Sequence, residues 1–210
     1  EAGADAGATG SEGHGEVKVE FVPVWKQVTP DLAQELMAFW QASKAVVEPG
    51  AAATRALQAV CVARDGNGAL CGVATAVVKA LPRLRQPTYY YRQFFAKALR
   101  GQHQELAFFQ FAKRVLQDYN AALPKAESLG ILLEIENAKI AAAYRRAHEP
   151  GFEATFIGYS PRGLQLRVSW FDDAMLLPPA PVRAPALAAR GQGGNAGRIQ
   201  PTPRRGNARS

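Results

Sequence analysis

Cysteine and histidine are both scarce in this chain. Cys61 and Cys71 are the two cysteines, and His14, His103 and His148 are scattered without cysteine or carboxylate partners at ligand spacing. That pattern excludes a zinc-type cluster and predicts no metal. The cysteines flank an expected hairpin turn at Asp65-Gly66-Asn67-Gly68. Whether they face each other depends on loop length, because a one-residue slip moves one of them to the other face. The preferred reading is a pair of reduced core thiols in a reducing compartment. Long apolar runs are missing too: none approaches the ~20 residues that span a bilayer. The first residues lack the basic-then-apolar order of a secretory leader, so the expected location is cytoplasmic. No internal repeat is visible.

What is present suffices for one hydrophobic core: 210 residues, 48% of them hydrophobic. Residues 1–16 are Gly, Ala and acids, and 178–210 are Pro, Gly, Ala and Arg, so both ends are expected to be disordered. The second of these carries Arg183, Arg190, Arg198, Arg204, Arg205 and Arg209 and no acid. Such a tail suits phosphates of nucleic acid or an acidic protein, although it also serves as a plain solubilising linker. A single domain is expected over 17–177.

Within it, Val17 to Trp25 alternates as a strand does. Thr29-Pro30-Asp31 then opens a helix whose apolar stripe holds Leu32, Leu36, Phe39 and Trp40. Gln58–Ala63 and Ala69–Val78 form the hairpin, and Ala80–Pro87 is a loop. Thr88–Phe95 is an aromatic-dense strand, Leu106–Tyr119 a helix, and Gly130–Ile135 a strand of central character. Asn137–Arg146 reads as an Ala-rich helix, and Glu153–Tyr159 with Leu164–Phe171 as a closing hairpin. The order predicts an α/β fold with a mixed, largely antiparallel sheet flanked by helices. The crossover between the Thr88 and Ile131 strands makes those two parallel.

Between the aromatic strand and the long helix stands Arg100-Gly101-Gln102-His103-Gln104-Glu105. A basic turn leading into a helix start presents unpaired N–H groups and a partial positive charge, which suits phosphate oxygens. An ordinary strand-to-helix connection has the same appearance. Farther on, Asn137-Ala138-Lys139-Ile140-Ala141-Ala142-Ala143-Tyr144 is followed by Gly151-Phe152.

Together these two segments resemble the GNAT superfamily of acyl-CoA-dependent N-acyltransferases, over about residues 17–171. The turn stands where that family has Arg/Gln-x-x-Gly-x-Gly/Ala, and the later segment where it has Asn-x-x-Ala-x-x-x-Tyr…Gly-Phe. The resemblance implies a GNAT-like fold and acetyl-CoA or another acyl-CoA as co-substrate. Its pyrophosphate would be held by Arg100, Gly101, Gln102, His103, Gln104 and Glu105. It further implies that Tyr144 protonates the leaving thiolate, that Asn137 caps its helix or bonds the pantetheine arm, and that amides near Phe94, Phe95 and Ala96 polarise the thioester. The acceptor would be an amine on a small molecule or protein, with a homodimer among the expected assemblies. His103 and Glu105 stand where the family has glycines, and Glu105 brings negative charge toward the diphosphate.

The aromatic strand has no acid where many family members keep a base. Glu134 and Glu136, two residues apart on the Ile131 strand, share a face at its carboxyl end and are the candidate bases. Two functions follow from these residues: an N-acyltransferase, or a catalytically silent domain of the same fold acting as a binding module with its basic tail as a contact arm.

Overall fold

The computed structural model describes residues 18–45, 48–100 and 104–182. The two expected disordered ends therefore lie outside the described residues, apart from 178–182, as do Gly101, Gln102 and His103.

Eight strands form one sheet: β1 (Glu20–Pro23), β2 (Ala59–Arg64), β3 (Leu70–Ala80), β4 (Pro87–Phe95), β5 (Gly130–Ile135), β6 (His148–Glu149), β7 (Ala154–Tyr159) and β8 (Gln165–Trp170). Their spatial order is β1-β2-β3-β4-β5-β8-β7-β6. Every neighbouring pair is antiparallel except β4 and β5. Among the described residues four α-helices accompany the sheet: α1 (Pro30–Ala42), α2 (Pro49–Ala56), α3 (Gln104–Ala122) and α4 (Ala138–Ala143). The expected mixed sheet and its one parallel step are both present.

Local chemistry accounts for the element ends. Thr29 Oγ1 accepts from Leu32 N at 3.2 Å, and Pro30 follows it as the first helical residue. At the hairpin, Asp65 Oδ1 accepts from Asn67 N and Ala69 N, and Gly68 takes φ +79°, a value that favours glycine. Cys61 pairs with Ala74, and a register shift lies between Ala63 and Arg64, so the cysteines are not cross-strand partners. Both are free and buried; burial drives the Cys61 thiol far up and pushes Cys71 up to about 11.

Alternation along β4 divides the core. Tyr89, Tyr91 and Phe95 point toward α3, packing with Phe108, Phe109 and Leu116. Phe94 points the other way, where its ring meets Phe39 of α1 edge-on at 5.6 Å. Helices α1 and α2 cover the β1–β3 half of that second face. Over the β4–β5–β8–β7 half, Tyr90, Leu132, Leu166 and Ile157 pack with Leu81 and Leu84 of the β3–β4 loop.

Several sequence expectations are corrected. The first strand is four residues rather than nine, and α2 fills a stretch for which no helix was expected. The helix after Asn137 stops at Ala143, so Tyr144, Arg145 and Arg146 are not helical. Its end is held by side chains from β8: Arg167 Nη2 and Gln165 Nε2 donate to the Tyr144 carbonyl at 3.0 and 3.3 Å. Leu177 is anchored to Gln86 through two hydrogen bonds, and Arg85 and Ala180 exchange two more.

Candidate active site

Strands β4 and β5 separate partway along their length. They pair from Tyr89↔Ile131 to Tyr91↔Leu133, after which β4 runs on to Phe95 and β5 to Ile135 without facing each other. A cleft of about 490 Å³ occupies the gap. It passes through the sheet: Tyr144, Phe109 and Phe152 line it on the α3 side, and Trp40, Arg55 and Phe94 on the α1–α2 side.

Main-chain groups of β4 are exposed by this separation. Ala96 N donates to Cys71 O at 2.8 Å, so Ala96 cannot serve as the thioester-polarising donor expected of it. Antiparallel alternation then directs Phe94 N–H toward β3 as well, and those of Gln93 and Phe95 into the gap. Of the three residues expected, Phe95 alone therefore has its amide aimed at the cleft, and Gln93 joins it. Arg100 reaches back to donate from Nε to Phe95 O at 3.1 Å, with its guanidinium 5.1 Å from the Phe94 ring centre.

Glu134, Glu136, Asn137, Tyr144, Arg100, Glu105, Phe94 and Phe95 all line this one cleft, while Ala96 and Gln104 do not. Asn137 caps α4, its Oδ1 accepting from Lys139 N at 2.9 Å and Ile140 N at 3.3 Å. Tyr144 follows the last residue of α4 and is half-buried, its ring 5.6 Å from Phe152, which in turn meets Phe109 at a tilt, 4.9 Å between ring centres. Burial raises the Tyr144 pKa above its ordinary value, and the charges of Glu149 and Glu105 add to this against Arg167. The phenol therefore keeps its proton at neutral pH.

Glu134 is the most constrained acid. Tyr90 Oη donates to Glu134 Oε2 at 2.5 Å, and Arg162 Nη2 lies 3.0 Å from the same oxygen. Burial pushes its pKa upward, but hydrogen bonds from Tyr90, Ser160 and Arg162 outweigh that and hold it down to about 2. Glu136 is 2.8 Å from Arg162 and mostly exposed. The turn between β7 and β8 thus bridges both carboxylates.

Arg167 was missed by sequence reasoning. Its residue is 2% exposed, and it lines the cleft. Its five N–H groups donate to Gln165 Oε1 and to the carbonyls of Ala147, Ala154, Tyr144 and Arg146, at 2.6 to 3.5 Å. No carboxylate lies within ion-pair distance of it among the described residues. An arginine in a strand that otherwise alternates toward a core was the available signal. Arg55 was missed with α2; burial, then the nearby Arg92, lower its pKa.

No family model matches the chain, and no curated protein matches it. Among solved structures, a GNAT-family acetyltransferase from Streptococcus pneumoniae is 11% identical, with a TM-score of 0.44 over 72% of this chain and 96% of that one. A GNAT-family acetyltransferase from Listeria monocytogenes is 15% identical, with a TM-score of 0.44 over 77% of this chain and 98% of that one. AtaTR bound with AcCoA is 14% identical, with a TM-score of 0.44 over 72% and 94%. The described residues thus form an eight-stranded, largely antiparallel sheet with one parallel step at the separated pair.

Proposed function

We propose that the protein transfers an acyl group, acetyl in the simplest case, from acyl-CoA to an amine. The observation that carries this reading is the cleft itself, open on both faces of the sheet, with a protonated phenol on one wall and an ionised carboxylate on another. The thioester supplies an activated acyl carbon when bound. Phe95 and Gln93 N–H groups aim into the gap and are suited to bond its carbonyl oxygen. Arg100 and the start of α3 at Glu105, which line the cleft, are the described groups we assign to the diphosphate.

The chemistry balances with one proton on each side. The amine loses a proton, its nitrogen bonds the acyl carbon, the C–S bond breaks, and the thiolate takes a proton. Tyr144 is the donor to sulfur and recovers its proton from solvent. Glu134, ionised well below neutral pH, is too weak a base to strip an ammonium directly. It orients the ammonium, which first gives one proton to water to become the free amine; the proton counted above then leaves the nitrogen to water beside Glu136 as the acyl carbon is bonded.

Glu134 being already paired with Arg162, and Glu105 lining the cleft, favour a second reading: a silent domain of this fold that binds a partner. Calorimetry with acetyl-CoA separates the two. Heat of binding at micromolar to millimolar ligand is expected; none at millimolar ligand removes the acyltransferase.

A further inference from the structure

A second cavity, of about 650 Å³, adjoins the cleft on the face left uncovered by α1 and α2. Tyr90, Arg92 and Glu134 belong to the walls of both. Its floor is apolar: Leu81 and Leu84 from the β3–β4 loop face Leu132, Ile157 and Leu166 from the sheet. Its charge is one-sided. Lys79, Arg83, Arg92 and Arg162 line it against the single acid Glu134.

Three of those four cations are not held by acids among the described residues. Among the described residues no ion pair involves Lys79, Arg83 or Arg92. Lys79 Nζ and Arg92 Cζ instead lie 4.7 and 5.0 Å from the centre of the Tyr90 ring. Arg162 alone is paired, with Glu134 and Glu136. An apolar floor with a few convergent charged groups is the usual make-up of a small-molecule site. Here it is matched to a ligand with an apolar body and a negative group, while Glu134 at the shared wall is placed for an ammonium.

We propose that this cavity receives the acceptor, and that the acceptor is an amphiphilic amine bearing an anionic group, a carboxylate or phosphate, on an apolar body. Polycations and basic peptides are disfavoured by the same four cations. The assignment rests on acyl transfer in the adjoining cleft for its chemistry, but not for its binding.

Two matched pairs test it: 6-aminohexanoate against hexylamine, and phenylalanine against phenethylamine, with spermidine as the polycation. Binding to the full chain is followed without acyl-CoA by NMR shifts of amides in residues 79–84, and turnover with acetyl-CoA by release of free thiol. The anionic member of each pair is expected to bind and to turn over at least tenfold better. Lys79→Gln combined with Arg83→Gln is expected to erase that difference while leaving the heat of acetyl-CoA binding unchanged. Equal use of both members, or preference for spermidine, overturns the proposal even when acetyl-CoA binds and reacts. If acetyl-CoA does not bind but the anionic members still do, the acyltransferase reading fails and the cavity's ligand class stands. If taurine, an anionic amine without an apolar body, binds as well as 6-aminohexanoate, the apolar floor has no role and the proposal fails in that part.

Discussion

Tyr90 and Glu134, on adjacent parallel strands, are joined by a 2.5 Å hydrogen bond at the point where two cavities share a wall. The bond donates to a carboxylate and so belongs to the strong, charge-assisted kind. It raises the tyrosine pKa, after burial, and lowers that of the acid.

The first prediction concerns acid stability. Glu134 has a folded pKa of about 2 against an ordinary 4.5, so its ionised form favours the native state. The stabilisation is complete above the ordinary value and is lost as pH falls from about 5 toward 2. Urea denaturation across that range should show a steep loss of stability in the wild type and a shallower one in Glu134→Gln. Identical slopes would remove Glu134 from this role.

Tyr144→Phe removes the hydroxyl of the proposed acid and little else, because its ring contact with Phe152 is kept. Turnover should fall by about 100-fold or more, with acetyl-CoA affinity nearly unchanged. Undiminished turnover would show that thiolate protonation comes from elsewhere.

Arg167→Met strands carbonyls that the guanidinium now satisfies. An unmet buried acceptor costs roughly 1–3 kcal/mol, so a loss of at least ~3 kcal/mol is expected in equilibrium unfolding. Arg167→Lys should recover only part of it, since an ammonium has three donors against five. A loss under 1 kcal/mol for Arg167→Met would mean that the Tyr144–Ala147 backbone is held by other contacts.

Gly130 of β5 lies where β8 leaves no room for a side chain. A Cβ there would stand 2.5 Å from Ser169 O, a backbone atom that cannot swing aside. Gly130→Ala should cost about 1–3 kcal/mol, the usual range for overpacking, read as a lower urea midpoint. An unchanged midpoint would show that the two strands can part there without penalty.

Much of this architecture was legible because the local and tertiary signals agree. Gly130–Ile135 is a short, nearly unbroken apolar run and is a strand at the expected bounds, and α3 and the Asp65 hairpin follow from periodicity and turn chemistry. Where local signals are weak, reading failed. Helix α2 has eight residues, half of them alanine, and its one cue was Glu48-Pro49, whose carboxylate caps Gly50 N and Ala51 N. Strand β6 exists only by pairing with β7. Helix α4 was read too long because the groups that end it come from β8, more than 20 residues away.

The site divides in the same way. Tyr144, Glu134, Glu136 and Asn137 converge on one cleft as their order along the chain suggested. The Arg162 bridge and the Arg167 cradle are tertiary, and no spacing encodes them. The donors at Gln93 and Phe95 depend on which way β4 alternates, a parity fixed by the Ala96–Cys71 bond.

That parity makes β4 a two-sided ruler. Odd positions from 91 to 95 are read by whatever enters beside α3, and even positions from 90 to 94 by whatever enters from behind. Substitutions can therefore change one wall of the cleft without disturbing the other. Inserting or deleting a single residue in this strand would instead exchange the two walls at once.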